Sequence, residues 1–176
     1  MTEQALAQLK DATFQQQDGF AQTLLGAIFF NVRNNQEVVE YGYKLITDAS
    51  ERRNVRWAYY LLMYIQRMDI IEYPIEQHAL PTDESIEQLC EHSLRGNVWA
   101  MTILGNMLYN GYVTASDKTL GRMLICKAAI EKCLIAEEYA NEYNITAPSN
   151  LIERFKYFSS MTELLNNYIQ RIRSRQ

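Results

Sequence analysis

Apolar residues recur every three or four positions along almost the whole chain, and no stretch alternates apolar with polar in the manner of a half-buried strand. That period admits one class of fold, an all-α protein. Leu6 and Leu9 mark a first short helix. Phe20, Leu24, Ala27 and Ile28 mark a second after Asp18-Gly19, and Val38, Gly42, Leu45, Ile46 and Ala49 a third. Ala58, Leu61, Leu62 and Ile65 form a fourth. With only 7 Gly and 3 Pro in 176 residues, breakers are few. Pro74 and Pro81 are two of them and predict the main loop.

Beyond that loop the signals are sharper. Thr82 or Asp83 is placed to cap a helix through Ile86, Leu89, Cys90 and Ser93. Gly96-Asn97 closes it, and Ala100, Ile103, Leu104 and Met107 form the next, which Gly111 stops. Ser116 or Asp117 opens a helix with Leu120, Leu124 and Ala128 inward, and a further one covers about Cys133 to Tyr143. Pro148 suits the first turn of a last helix, along which Leu151, Phe155, Phe158, Leu165, Ile169 and Ile172 form one stripe interrupted by Thr162. The expectation is about eight or nine helices in one domain. Residues 1–50 hold the N-terminal helices, 51–145 a repeat core and 146–176 a C-terminal capping helix.

Superposing the two tryptophans brings out the repeat. Trp57-Ala58 falls on Trp99-Ala100, with Leu62 on Leu104, and Ile135-Ala136 takes the same place 36 residues after Ala100. A helix pair recurring at about 36–42 residues is the mark of a helical solenoid. Gly96, Asn97, Ala100, Leu104, Gly105, Gly111, Asp117, Ala128 and Ala129 stand, without a gap, where the Sel-one-like repeat has its characteristic residues. This stretch resembles one such repeat, a relative of the tetratricopeptide repeat. It departs from the pattern in having Val113 for a loop glycine, Gly121 for a packing alanine and Leu124-Ile125 for an aromatic pair. The resemblance implies a short right-handed α/α solenoid whose first helices line the inner curve. A glycine inside a helix is unfavourable by about 1 kcal/mol against alanine, so Gly105 is expected to mark a close approach of backbones, with Ala100 and Ala128 nearby.

Catalytic constellations are not evident. His92 and Cys90 are two apart on one helix and do not face the same side. His78 lies in the proline-flanked loop, and Cys126 and Cys133 are seven apart. Glu137-Glu138 and Asp83-Glu84 are adjacent pairs that point apart on a helix. There is no phosphate loop or nucleophile elbow. The expectation is therefore no enzyme, no metal and no cofactor. A formal charge of −4 argues against nucleic acid as the partner. The opening "MTEQALAQLK" lacks a leader pattern, the longest apolar runs are too short to span a bilayer, and an odd count of 3 Cys suits reduced thiols, so a cytoplasmic protein is expected.

What remains is surface. Trp57, Tyr60 and Tyr64 lie at three- and four-residue spacing beside the core set of their helix. In the resembling repeat they correspond to Trp99, Thr102 and Asn106, with Asn110 one turn on, and in the third copy to Ile135, Glu138 and Glu142. The resemblance implies a partner-binding groove with aromatics at one end and carboxylates at the other. The alternative reading of the two tryptophans is packing between helices. The function expected is a scaffold for another protein, with a toxin-neutralising immunity protein as its narrower form and a monomer favoured over a homodimer. Two other classes stay open. One is a small-molecule sensor or enzyme with a site around His92, Cys90 and Tyr109, and the other is a homo-oligomeric structural subunit.

Overall fold

The structure is a computed structural model, and it describes residues 1–32, 34–68, 81–113 and 116–175. Pro74 and His78 of the expected loop lie outside the described residues. Among the described residues there are nine helices and no strand: α1 (Glu3–Phe14), α2 (Gly19–Phe30), α3 (Gln36–Glu51), α4 (Arg56–Met68), α5 (Asp83–Leu94), α6 (Val98–Asn110), α7 (Lys118–Ile130), α8 (Leu134–Glu142) and α9 (Leu151–Arg173). None is long and apolar enough to cross a membrane.

Side-chain oxygens set the helix starts. Asp18, Asn35, Asn97, Asp117 and Asn150 each accept a hydrogen bond from the backbone N–H three residues on. Thr82 does the same for Ser85 ahead of α5. Each such cap satisfies a donor that the helix itself leaves unpaired. Gly111 ends α6 in the left-handed region at φ 77°, a conformation that disfavours a side chain. Pro148 does not enter the first turn of α9, because Asn150 is the cap and the helix begins at Leu151.

The chain divides into two compact units, one of residues 6–88 and one of residues 1–5 with 89–176. In the first, α3 packs on both α2 and α4, and α2 also reaches α4. In the second, α7 packs on α6 and α8, α6 reaches α8, and α9 lies on α7. The same order of contacts therefore occurs twice.

The repetition extends to single atoms. A Cβ at Gly26 would sit 2.7 Å from Ile46 Cγ1 and 2.9 Å from the Gly42 carbonyl oxygen. At Gly105 it would sit 2.8 Å from Ile125 Cγ1 and 3.1 Å from the Gly121 carbonyl oxygen. The facing glycines match as well, with a Gly42 Cβ 2.5 Å from Phe30 N and a Gly121 Cβ 2.7 Å from Tyr109 N. Gly26 and Gly105 are 79 residues apart, as are Gly42 and Gly121, Ile46 and Ile125, and Phe30 and Tyr109. Thr23 and Thr102, also 79 apart, are both fully buried and donate to the carbonyl four residues back, each at 2.7 Å. Gly105 is thus a close-packing point, and the nearest atoms to a Cβ there belong to Ile125 and Gly121 of α7. Where the Sel-one-like pattern has a packing alanine, a Cβ at position 121 would meet backbone.

The core of each unit is the inward stripe of these helices. Leu9, Leu25 and Ile46 are fully buried in one, and Leu104, Leu120, Leu124, Ile125 and Leu165 in the other. The stripe expected along α9 is only half there. Met161, Leu165, Tyr168, Ile169 and Ile172 are buried, whereas Leu151 and Phe155 are 81% and 76% exposed and Ile152 is 71% exposed. At 100° per residue Phe155 falls about 40° from buried Ile169 and Leu151 falls in line with it, so the stripe does hold one side of the helix. Its first half is exposed although it lies on that side.

Buried Tyr168 makes an alkaline prediction. Burial first, then the neighbouring Cys90 thiol, pushes its phenol from 10.0 up to about 12, with Arg171 and Arg175 opposing. Because the folded value is the higher one, the unfolded chain ionises first as pH rises. The contribution is whole below pH 10 and is lost between pH 10 and about 12. Chemical denaturation should show a loss on the order of 2–3 kcal/mol over that window. Tyr168→Phe should remove part of that slope and leave the neutral-pH behaviour nearly unchanged.

Candidate functional site

Three of the proposed surface residues are buried. Trp57 and Trp99 keep 8% and 5% of their surface, and Thr102 keeps none. Each tryptophan is the second residue of its helix, α4 or α6. Thr102 donates to the Val98 carbonyl and also lies 3.4 Å from Cys133 Sγ, tying α6 to the start of α8. These three side chains pack helices together and are not available to a partner.

The others are at least partly accessible. Tyr60 and Tyr64 on α4 are half-buried, and Tyr59 beside them is 59% exposed. Glu142 at the end of α8 is exposed. Glu138 is already engaged within its own unit. Its Oε1 accepts from Thr2 N at 2.7 Å, and its Oε2 lies 3.5 Å from the N-terminal ammonium. Burial alone would raise this carboxyl, but the Thr2 bonds and the ammonium charge outweigh it and hold it below the usual carboxylate range.

Asn106 and Asn110 meet in a small polar network that sequence reasoning did not foresee. Tyr143 Oη donates to Asn106 Oδ1 at 2.8 Å, and Asn110 Nδ2 donates to Tyr143 Oη at 3.0 Å and to Asn106 Oδ1 at 2.8 Å. The Tyr143 ring stacks on Tyr109 with centroids 4.3 Å apart, and on Tyr139 at 5.8 Å. The Lys118 ammonium lies 4.7 Å from the Tyr109 ring centre. Beneath sit Ile125, Cys126 and Ile145, with Tyr157 and Phe158 of α9 against them. Burial raises the Tyr139 phenol, aided by Tyr143 and nearby glutamates. It also raises the Tyr143 phenol, there against the Asn110 bond. The available signal was the spacing: Tyr139 and Tyr143 are four apart and share a helix side.

The sulfur and histidine chemistry is subdued. All three cysteines are buried and none is in a disulfide. Burial raises the Cys126 thiol against the pull of Arg154. It also raises Cys133 against bonds from Thr102 and from the backbone at Ala136 and Ile135, so both stay protonated and unreactive at neutral pH. His92 is half-buried on α5, Cys90 is fully buried, and Tyr109 lies against Tyr143. Among the described residues no group of three or more His, Cys, Asp and Glu side chains is arranged to hold a metal ion.

Arginines after α3 and at the end of α9 are engaged within their own units. Arg52 pairs with Asp48 at 2.8 Å, and Arg53 donates to the Gln17 carbonyl. Arg171 pairs with Asp117 at 3.5 Å and Arg173 with Glu91 at 3.3 Å. Comparison with protein families, curated proteins and solved structures finds no match to this chain.

Proposed function

We propose that the chain is a short right-handed α/α solenoid of Sel-one-like type that works as a non-enzymatic scaffold for a partner protein. The observation that carries this reading is the doubled glycine-to-glycine approach, Gly26 with Gly42 and Gly105 with Gly121, in two units with the same order of packing. Repeated helical modules of this kind are quasi-one-dimensional, and their stacking leaves helix flanks free for recognition. The flank of α4 carries Tyr59, Tyr60 and Tyr64, and the ends of α6 and α8 carry Asn106, Asn110 and Glu142. Tyrosine and asparagine give contact area and adaptable hydrogen bonds at modest entropic cost. The acidic balance suits a basic partner, since charge complementarity steers association, and a toxin neutralised in the cytoplasm is the narrower form of the proposal.

Affinity capture from the native organism tests this. The tagged chain should retain a stoichiometric protein. Tyr60→Ala or Tyr64→Ala, or Asn110→Ala in the other unit, should weaken retention without a comparable loss in melting temperature. Capture of nothing, with turnover of a small molecule by the purified chain, would reverse the proposal. Tryptophan replacement is not a suitable probe, because both rings are core.

A further inference from the structure

Asn110-Gly111 is the one Asn-Gly step in the sequence. In an open chain that step is chemically unstable. The glycine nitrogen attacks the asparagine Cγ, the Cγ–Nδ2 bond breaks, and the proton of the attacking nitrogen leaves with Nδ2 as ammonia. Water then opens the five-membered imide at either carbonyl, giving aspartate or isoaspartate, with no oxidation or reduction. Glycine permits this most readily because it has no Cβ to hinder the approach. The fold itself calls for glycine here, since position 111 closes α6 at φ 77°. Asn110 and Gly111 are both exposed, so water reaches them.

The same geometry holds the reaction off. The Asn110 side chain folds back one turn, its Nδ2 donating to the Asn106 carbonyl at 3.0 Å, to Asn106 Oδ1 at 2.8 Å and to Tyr143 Oη at 3.0 Å. The Gly111 nitrogen lies one residue onward, and its N–H is donated to the Met107 carbonyl. The attacking nitrogen is therefore engaged in the helix while the carboxamide is turned toward the preceding turn. Ring closure needs the two groups in a near-attack geometry, which requires the last turn of α6 to open. Part of the clasp comes from outside the helix, because Tyr143 is itself fixed by stacking on Tyr109 and Tyr139. The other unit carries the comparison 79 residues earlier, at Asn31-Val32. Asn31 is exposed too, and its Nδ2 donates to the Ala27 carbonyl at 2.8 Å. A branched valine follows it, so only one unit holds the reactive step.

We propose that Asn110 is a site of spontaneous deamidation through the Gly111 nitrogen, and that the bonds to Asn106 and Tyr143 gate it. Conversion removes the two N–H donors that clasp Asn106 and Tyr143. It also sets a carboxylate at the C-terminal end of α6, where the helix dipole disfavours negative charge. Isoaspartate further inserts a backbone carbon between α6 and its glycine cap. The chemistry needs no partner, so it stands or falls independently of the scaffold proposal.

The test incubates the full chain in mildly alkaline buffer beside a synthetic peptide of residues 107–113, and follows residue 110 by peptide mapping. Aspartate and isoaspartate should accumulate at 110 and not at 31, about tenfold more slowly than in the peptide. Tyr143→Phe keeps the stacked ring and removes the hydroxyl, and Asn106→Ala removes the other side-chain acceptor. Each should speed conversion about threefold to tenfold, with amide exchange at Gly111 raised by the same factor and that of buried Leu124 unchanged. Conversion as fast as in the peptide, or none after about a hundred peptide half-times, would overturn the gated site. Equal rates in the wild type and both variants, or an equal gain in exchange at Leu124, would overturn the role of the clasp.

Discussion

Trp99→Ala should unfold far more easily than the wild type, by about 3–5 kcal/mol, because a large ring is removed from a site that keeps 5% of its surface. For a chain of this size the melting temperature should fall by roughly 10 °C. Ala100, Ile103 and Leu104 of the same helix are buried as well, so a small residue at 99 leaves a cavity in a packed core. Trp57→Ala should behave similarly in the other unit. Differential scanning calorimetry decides the matter. Unchanged melting in either variant would mean that the tryptophan is not a packing residue, and would return it to the docking flank.

The second large effect is at the glycines. Gly42→Ala places a methyl 2.5 Å from Phe30 N and 2.7 Å from the Gly26 carbonyl oxygen, and Gly121→Ala places one 2.7 Å from Tyr109 N and 2.8 Å from the Gly105 carbonyl oxygen. Those neighbours are backbone in two-helix contacts, so relief requires the helices to separate. Overpacking of this kind costs up to about 3 kcal/mol, while alanine returns about 1 kcal/mol of helix propensity. The net loss should be about 2 kcal/mol in each variant, read by urea denaturation. Because the two sites are copies of one geometry, the losses should be similar. A stabilised Gly121→Ala beside a destabilised Gly42→Ala would break the equivalence of the units.

Helix order was readable because it depends on local chemistry. Asp18, Asn97 and Asp117 cap the helices they precede, and Gly111 ends α6 in the left-handed region. The 79-residue duplication was harder to see. Its sequence trace is "AQTLLG" at 21–26 and "AMTILG" at 100–105. Alignment on tryptophan leads away from it, because Phe20 stands where Trp99 does and Trp57 belongs to α4. A buried position accepts either large ring, so the small residues that let backbones meet are the better markers. The expected surface was legible in part. Spacing put Trp57, Tyr60 and Tyr64 on one flank, but spacing does not say how deep a ring sits between neighbouring helices. Asn106 and Asn110 were in view, but spacing within one helix does not show that Tyr143, at the end of α8, meets them from another helix.

The exposed start of α9 stands apart. Leu151, Ile152 and Phe155 are the three most exposed large apolar side chains among the described residues.

Hydroxyl-radical footprinting of the captured complex tests the proposed scaffold, whose contacts lie on the flanks of α4, α6 and α8. Protection is expected at Tyr59, Tyr60 and Tyr64 in one unit, at Tyr109 and Tyr112 in the other, or at both sets, with Tyr41 on α3 and Phe155 on α9 as reactive as in the free chain. Protection confined to Tyr41 or Phe155, with those tyrosines unchanged, would contradict it.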